Sequence, residues 1–410
     1  MNVGRATTYW WANTVVIGYL VATVVMAIGH AFGAESTWLL VHLLLLGAVT
    51  NAIVIWSGHF ATTLLHPDDA RAGRLLLPLL ALNGSVAAIL VGGAERLPVV
   101  TVAAGSLLAA TIAWRGDMLA RAVRTARNAR FAVTVRFYWV ASVALIVGIA
   151  AGIAVSVGVS APWHARLVAV HLHANLFGWI ALTVLGTNVS FWPMVLRTRV
   201  VEGAEQAAGR ALLLCAGGLA LALAGFVCAS RVVAVIGVAS YLVGVLCGVG
   251  PFVRTAARRT PRGGAALMLA AATGWLLVGL GADLTAVVRS TEPAMVDRLE
   301  GMAPWLAVGF AAQAVLGALT YLLPAILGRG PAGVRRATSL LDRWGSARTV
   351  TFNAGVGLVA LPLPSGASAV GWSLVLASTV AFVGLASGAF VITRPGAVSP
   401  EPARRRGEPS

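Results

Sequence analysis

The chain has 410 residues, of which 59 % are hydrophobic and 11 % charged, and its mean hydropathy is +0.86. A soluble protein of this composition would have too few polar side chains to cover its surface, so the composition predicts an integral membrane protein. The 30 basic residues outnumber the 14 acidic ones, and all are arginines because the sequence contains no lysine. Without lysine, a Schiff-base mechanism and a P-loop are excluded. The three cysteines have no CxxC spacing, which disfavours thiolate-bound zinc and a disulfide framework.

About 20 consecutive apolar residues cross the hydrocarbon layer as a helix. Stretches of this kind predict an all-α, polytopic membrane bundle of about 12 transmembrane helices. The residues after 393 are rich in proline and arginine, and they predict a disordered tail over 394–410. The predicted spans cover, in chain order, residues 11–31, 37–63, 75–94, 98–114, 133–160, 167–196, 210–229, 232–252, 265–288, 303–328, 349–363 and 369–392.

The positions of the arginines predict the orientation of the bundle. If the N-terminus is cytoplasmic, about 25 arginines lie on the cytoplasmic side, as the positive-inside rule requires. We therefore expect a multi-pass protein of the plasma (inner) membrane with both termini in the cytoplasm. The lipid bilayer is its predicted environment, and no nucleic acid is needed to explain the positive charge.

Two of the predicted spans share a sequence pattern that contains histidines. Span 2 reads VHLLLLGAVTNAIVIWSGHF and span 6 reads VHLHANLFGWIALTVLGTNVSF. When they are aligned on Gly47 and Gly178, His42 corresponds to His173. When they are aligned on the shared Val-His-Leu, His42 corresponds to His171 instead. Both registers remain open on the sequence alone.

The tenth predicted span extends this pattern to a third helix. Its sequence GFAAQAVLGALTYLLPAILG fits the first register on Gly317, with Ala312 in the place of the histidine. The three spans recur at every fourth helix, which predicts three four-helix repeats at about 1–130, 131–263 and 264–393. The alternative is that similar glycine spacing arises from helix packing alone.

The histidines of spans 2 and 6 are candidate metal ligands. Ionisable side chains in the membrane are commonly functional, and neutral imidazole binds haem iron and copper well. His171 and His173 lie about 200° apart on a helix, so only one of them can share a metal with His42. The alternative is that these histidines hydrogen-bond between helices and stabilise packing. Arg166, near the same end of span 6, is a candidate partner for a haem propionate or for lipid headgroups.

The predicted topology, the four-helix repeats and the histidines near the outer ends of spans 2 and 6 resemble subunit I of the haem–copper oxidase superfamily, which includes the nitric oxide reductases. The span 6 segment HLHANLFGWIALTVLGTNVSFWP carries the resemblance in motif. The resemblance covers most of residues 10–393 in topology and two helices in motif. It implies that His42 is the span 2 ligand of a low-spin haem, and that His171 or His173 corresponds to the span 6 ligand beside the high-spin haem.

The sequence also departs from the pattern of that family. The family has adjacent histidines around span 7 and haem ligands in span 10, whereas this chain has no histidine after His173 and has Ala312 and Gln313 in span 10. Asp283 is the one carboxylate expected within the membrane, too few for a proton channel. These departures exclude a complete dinuclear centre, oxygen reduction and proton pumping.

Two functional hypotheses follow from these observations. The first is a haem–copper-oxidase-like electron-transfer protein with a single site for haem b or copper, with quinol and an external copper or haem protein as its redox partners. The second is a cofactor-free membrane protein that transports or senses a metal ion or another small ligand through the same histidines. A Soret band in the visible spectrum distinguishes the first from the second.

Overall fold

A computed structural model describes residues 3–31, 36–66, 75–127, 130–290, 292–328 and 330–392. Throughout these ranges the secondary structure is helical and contains no β-strand, which confirms the predicted all-α bundle. The predicted tail, 394–410, lies outside the described residues.

The helices pack as a bundle and are joined by short connections. Three of them contain a π-helical segment, which is counted here as part of the helix that contains it. In chain order the helices are α1 (Val3–Ala31), α2 (Thr37–Leu65), α3 (Leu76–Ala94), α4 (Pro98–Arg124), α5 (Ala132–Ser156), α6 (Ala161–Val195), α7 (Ala204–Val227), α8 (Arg231–Arg258), α9 (Gly264–Arg289), α10 (Ala294–Leu327), α11 (Gly330–Leu341), α12 (Gly345–Ala360) and α13 (Ser365–Ile392).

In the described part of the chain, 11 helices are long and apolar enough to cross a membrane. They are α1 to α10 and α13, and they match all but one of the predicted spans. The remaining prediction, 349–363, falls on α12, which has 16 residues. A helix of that length rises about 24 Å, less than the roughly 30 Å of the hydrocarbon layer. The 11 long apolar helices make the chain a multi-pass integral membrane protein.

Helices α2, α6 and α10 form the centre of the bundle. Between 61 and 83 % of their membrane window is buried, against at most 44 % for any other candidate span. Each contains a π segment, namely Leu43–Val49, Ala174–Ala181 and Ala307–Ala312. Short π segments within α-helices are rare overall, and those that do occur are often found at functional sites.

The π segments also give a register for the three central helices. His42 and His173 directly precede the segments of α2 and α6, and Leu306 has the same position in α10. This register differs from the sequence alignment on Gly317, which put Ala312 in the place of the histidine.

The outer helices surround the central three. Helix α13 packs against α1, just as α4 packs against α5 and α8 against α9. The central helices approach their preceding helices closely at glycines, where a side chain would meet the neighbouring helix. The neighbour in each case is Tyr19 for Gly47, Ala144 for Gly178 and Met268 for Gly317.

Candidate metal-binding histidine pair

His42 lies near the start of α2, where the helix is capped by Ser36. The Ser36 hydroxyl accepts a hydrogen bond from the Leu39 N–H at 3.2 Å, which satisfies one of the free donors at the helix start. The imidazole Nδ1 of His42 lies 2.8 Å from the carbonyl oxygen of Trp38. The indole ring of Trp38 also stacks on the imidazole, with 4.3 Å between the ring centroids. These contacts hold the His42 ring in one orientation.

His171 lies on α6 and packs against α5. Its Nδ1 is 2.8 Å from the carbonyl oxygen of Gly148. Gly152, one turn along α5, makes room for the ring, since a Cβ at that position would lie 2.8 Å from the His171 Cε1. The two glycines form a GxxxG pattern, which is typical of close helix–helix contacts in membranes. Helix α5 therefore both positions His171 and accepts its hydrogen bond.

Asn175 lies one turn after His171 in α6 and packs beside it. Its Nδ2 donates to the His171 carbonyl oxygen at 2.6 Å. The same Nδ2 is 3.3 Å from the His171 Nδ1, but both atoms carry hydrogen when Nδ1 donates to the Gly148 carbonyl, so we assign no hydrogen bond to this contact. Asn175 fits against α5 because Gly148 has no side chain.

The rings of His42 and His171 approach each other between α2 and α6. Their centroids are 6.0 Å apart and their planes differ by 26°. A carbonyl oxygen can only accept a hydrogen bond, so Nδ1 carries the hydrogen in both rings. In the neutral tautomer this leaves the Nε2 lone pair of each ring available, and no described residue donates a hydrogen bond to either Nε2. Histidines that bind metals are commonly held in this way.

Trp179 connects α2 and α6 about two turns further along both helices than the histidine pair. Its Nε1 donates to the hydroxyl of Thr50 at 3.1 Å, and the contact is buried. Thr50 directly follows the π segment of α2, and its hydroxyl donates to the carbonyl of Leu45, five residues earlier. The hydrogen bond between Trp179 and Thr50 helps to set the separation of α2 and α6 and thereby of the two histidine rings.

His173 lies on the other side of α6 and has a different partner. Its Nε2 is 3.1 and 3.2 Å from the two carboxylate oxygens of Asp283 on α9. Its Nδ1 is 2.8 Å from the Ala169 carbonyl, so Nδ1 carries a hydrogen and a further proton must lie between Nε2 and the carboxylate. Both side chains are buried, with 2 and 0 % exposed. Both nitrogens of His173 are engaged, and the ring is not available to a metal.

Arg166 lies on the His173 face of α6, seven residues earlier. It lines a cavity of about 130 Å³ together with Arg231 and Phe226. The Phe226 ring separates this cavity from His173, at 4.5 Å between ring centroids. Arg231 donates from Nη2 to the Ser290 carbonyl at 2.6 Å. Arg166 is therefore on the side of α6 away from the His42–His171 pair.

The structure thus brings together His42 and His171, one of the two pairs that the sequence left open, and places His173 with Asp283. Within the described ranges, no group of three or more His, Cys, Asp or Glu side chains is close enough to bind a metal ion. The sequence reasoning overlooked Gly148, Gly152 and Trp38, although the GxxxG pattern in α5 was a signal for a close contact. A comparison of the chain with protein-family models and with characterised proteins found no match.

Proposed function

We propose that this protein is an electron-transfer protein of the haem–copper oxidase type, in which His42 and His171 bind one redox metal, either haem b iron or copper. The observation that carries this proposal is the pair of imidazoles from neighbouring helices, each with Nδ1 bonded to a backbone carbonyl and Nε2 available. The metal supplies one-electron exchange, and the protein holds its ligands in place.

The separation of the two rings fits a single bound metal. The centroids of the His42 and His171 rings are 6.0 Å apart, and an imidazole nitrogen lies about 2 Å from a metal that it binds. The two residues would hold one metal through Nε2, and imidazole suits both haem iron and copper.

The arrangement of the central helices supports the resemblance to the haem–copper oxidases and the division into three four-helix repeats. Helices α2, α6 and α10 each have a π segment, and each packs through a glycine on the helix that precedes it. Contacts between units also recur, because α5 packs on α2, α9 on α6 and α1 on α10. A threefold arrangement accounts for all three sets of contacts.

The position of the pair suggests how electrons reach and leave it. His42 is in the second turn of α2, close to the end of the bundle that the arginine distribution predicts to be external. An external haem or copper protein is therefore the proposed electron acceptor, and quinol from the bilayer is the proposed donor. The chain uses one site for this transfer, because His173 is held by Asp283.

The test is a visible spectrum with metal analysis on purified wild-type protein and on variants. We expect a Soret band with iron, or copper without a Soret band, and loss of that metal in His42→Ala and in His171→Ala. The control variants are His59→Ala, toward the other end of α2, and His164→Ala, in the first turn of α6. Both variants should retain the metal. A wild-type protein with neither metal would refute the proposal and favour the cofactor-free transporter or sensor.

A further inference from the structure

A cavity with polar lining lies at the opposite end of α6 from the histidine pair. Its volume is about 630 Å³, and it is enclosed by the ends of α6, α8, α9 and α10 together with α11. Three arginines line it, namely Arg197, Arg259 and Arg262. This is the end of the bundle that the arginine distribution predicts to be cytoplasmic.

The charges around this cavity are not balanced by acidic side chains. Asp342 is the one carboxylate that lines it, and its Oδ1 accepts a hydrogen bond from the Gly264 N–H at 2.6 Å, at the start of α9. Among the described residues, none of the three arginines is in an ion pair with a carboxylate. The cavity therefore has an excess of positive charge and will attract anions.

A hydrogen bond links the side chain of one of these arginines to the backbone of another. Arg259, just after α8, donates from Nη1 to the carbonyl oxygen of Arg197, just after α6, at 2.9 Å. Guanidinium groups form paired, charge-assisted hydrogen bonds with phosphate oxygens. The remaining donors of Arg259, together with those of Arg197 and Arg262, are available for such a group.

The rest of the lining is apolar or carries hydroxyl groups. Leu196, Ala266 and Pro324 contribute apolar surface, and Tyr321 and Thr320 contribute hydroxyls. A lining that combines arginines with apolar surface, located where helices leave the membrane, matches an amphiphile with an anionic headgroup. Basic pockets between transmembrane helices on the cytoplasmic side are known to bind such headgroups.

We propose that this cavity binds a phosphate group through Arg197, Arg259 and Arg262, and that the phosphate belongs to the headgroup of an anionic phospholipid. A soluble phosphate has the same chemistry, but it would leave the apolar lining of the cavity uncovered. The proposal does not depend on the histidine pair.

The test measures lipid binding to the delipidated full-length protein in detergent, by native mass spectrometry. The probes are phosphatidylglycerol, phosphatidylcholine and inorganic phosphate. We expect phosphatidylglycerol to bind, phosphatidylcholine to bind at least about tenfold more weakly, and Arg197→Gln/Arg259→Gln/Arg262→Gln to lose at least about tenfold in affinity for phosphatidylglycerol.

The matched control is Arg254→Gln/Arg335→Gln/Arg336→Gln, which removes the same charge from exposed residues that do not line the cavity. It should bind phosphatidylglycerol like the wild type. Arg262→Gln alone removes no hydrogen bond within the described structure, so it keeps the test valid if the triple variant unfolds, and it should also weaken binding. Equal binding by the cavity variants and the control would overturn the proposal, as would binding of inorganic phosphate without binding of lipid.

Discussion

His171 donates its Nδ1 hydrogen to the carbonyl of Gly148 at 2.8 Å, in a helix that precedes its own in the chain. A carbonyl oxygen inside α5 normally accepts only the helical hydrogen bond. It can accept a second one here because Gly148 and Gly152 allow α6 to approach the backbone of α5. The orientation of His171 therefore depends on two residues that have no side chain.

A side chain at Gly152 should displace His171 from its position. In Gly152→Ala the new Cβ would lie 2.8 Å from both Nδ1 and Cε1 of the ring, which forces the ring or the helix to move, at a cost of about 1–3 kcal/mol. We expect a lower metal content and a lower melting temperature. In the control, Gly84→Ala, the added Cβ meets nothing within 4 Å. Equal metal content in the two variants would contradict the assigned role of Gly152.

Loss of the indole hydrogen bond between α6 and α2 should affect the metal site from a distance. Trp179→Phe removes the bond to Thr50 at 3.1 Å, with an expected loss in stability of about 0.5–1.5 kcal/mol. Because this bond helps to set the separation of the two histidines, metal affinity should fall as well.

The matched control for Trp179 is Trp192→Phe. Trp192 donates from Nε1 to the Phe252 carbonyl at 3.0 Å, between α6 and α8 and away from the histidine pair. Thermal unfolding should show a similar loss of stability in both variants, while only Trp179→Phe loses metal on titration with a chelator. A parallel loss in both would mean that stability alone controls metal retention.

The sequence was sufficient to predict the helices of the fold because long apolar stretches are strong local signals. The positions of α1 to α10 and α13 follow from hydropathy alone. The predicted eleventh span was weaker because α12 has 16 residues. The π segments could not be predicted, since neighbouring helices decide where an α-helix takes up an extra residue.

The candidate site could be predicted only in part. Helical periodicity showed that His171 and His173 lie on opposite sides of α6, but it could not show which of them shares a face with His42. The decision depends on contacts that are distant in sequence, namely His173 with Asp283 and His171 with Gly148. Asp283 is 110 residues from His173, and no local pattern connects the two.

Removal of one member of the His173–Asp283 pair should destabilise the protein more than removal of both. Asp283→Leu leaves a buried imidazole without its partner, and breaking a buried pair in this way costs about 3–5 kcal/mol. The double variant His173→Leu/Asp283→Leu leaves neither polar side chain of this contact without its partner, and it should recover a substantial part of that loss in stability. The measurement is thermal unfolding of the wild type, both single variants and the double variant. Additive losses would show that the two side chains do not interact.

The same variants separate the two histidines of α6 by function. If His171 is the metal ligand and His173 is not, the double variant should keep its metal once it is folded, because His42 and His171 are unchanged. Metal analysis at a temperature below the unfolding transition checks this. Loss of metal from folded double variant would assign His173 to the metal site and contradict the pairing in the structure.

The orientation of the bundle can be tested with a native cysteine. Cys228 directly follows α7 and is exposed, whereas Cys215 is buried within that helix. The arginine distribution predicts that the connection between α7 and α8 is external. A membrane-impermeant maleimide added to intact cells should therefore label the wild-type protein and not Cys228→Ser. Labelling of Cys228 that appears only after the cells are permeabilised would reverse the predicted topology and place the histidine pair on the cytoplasmic side.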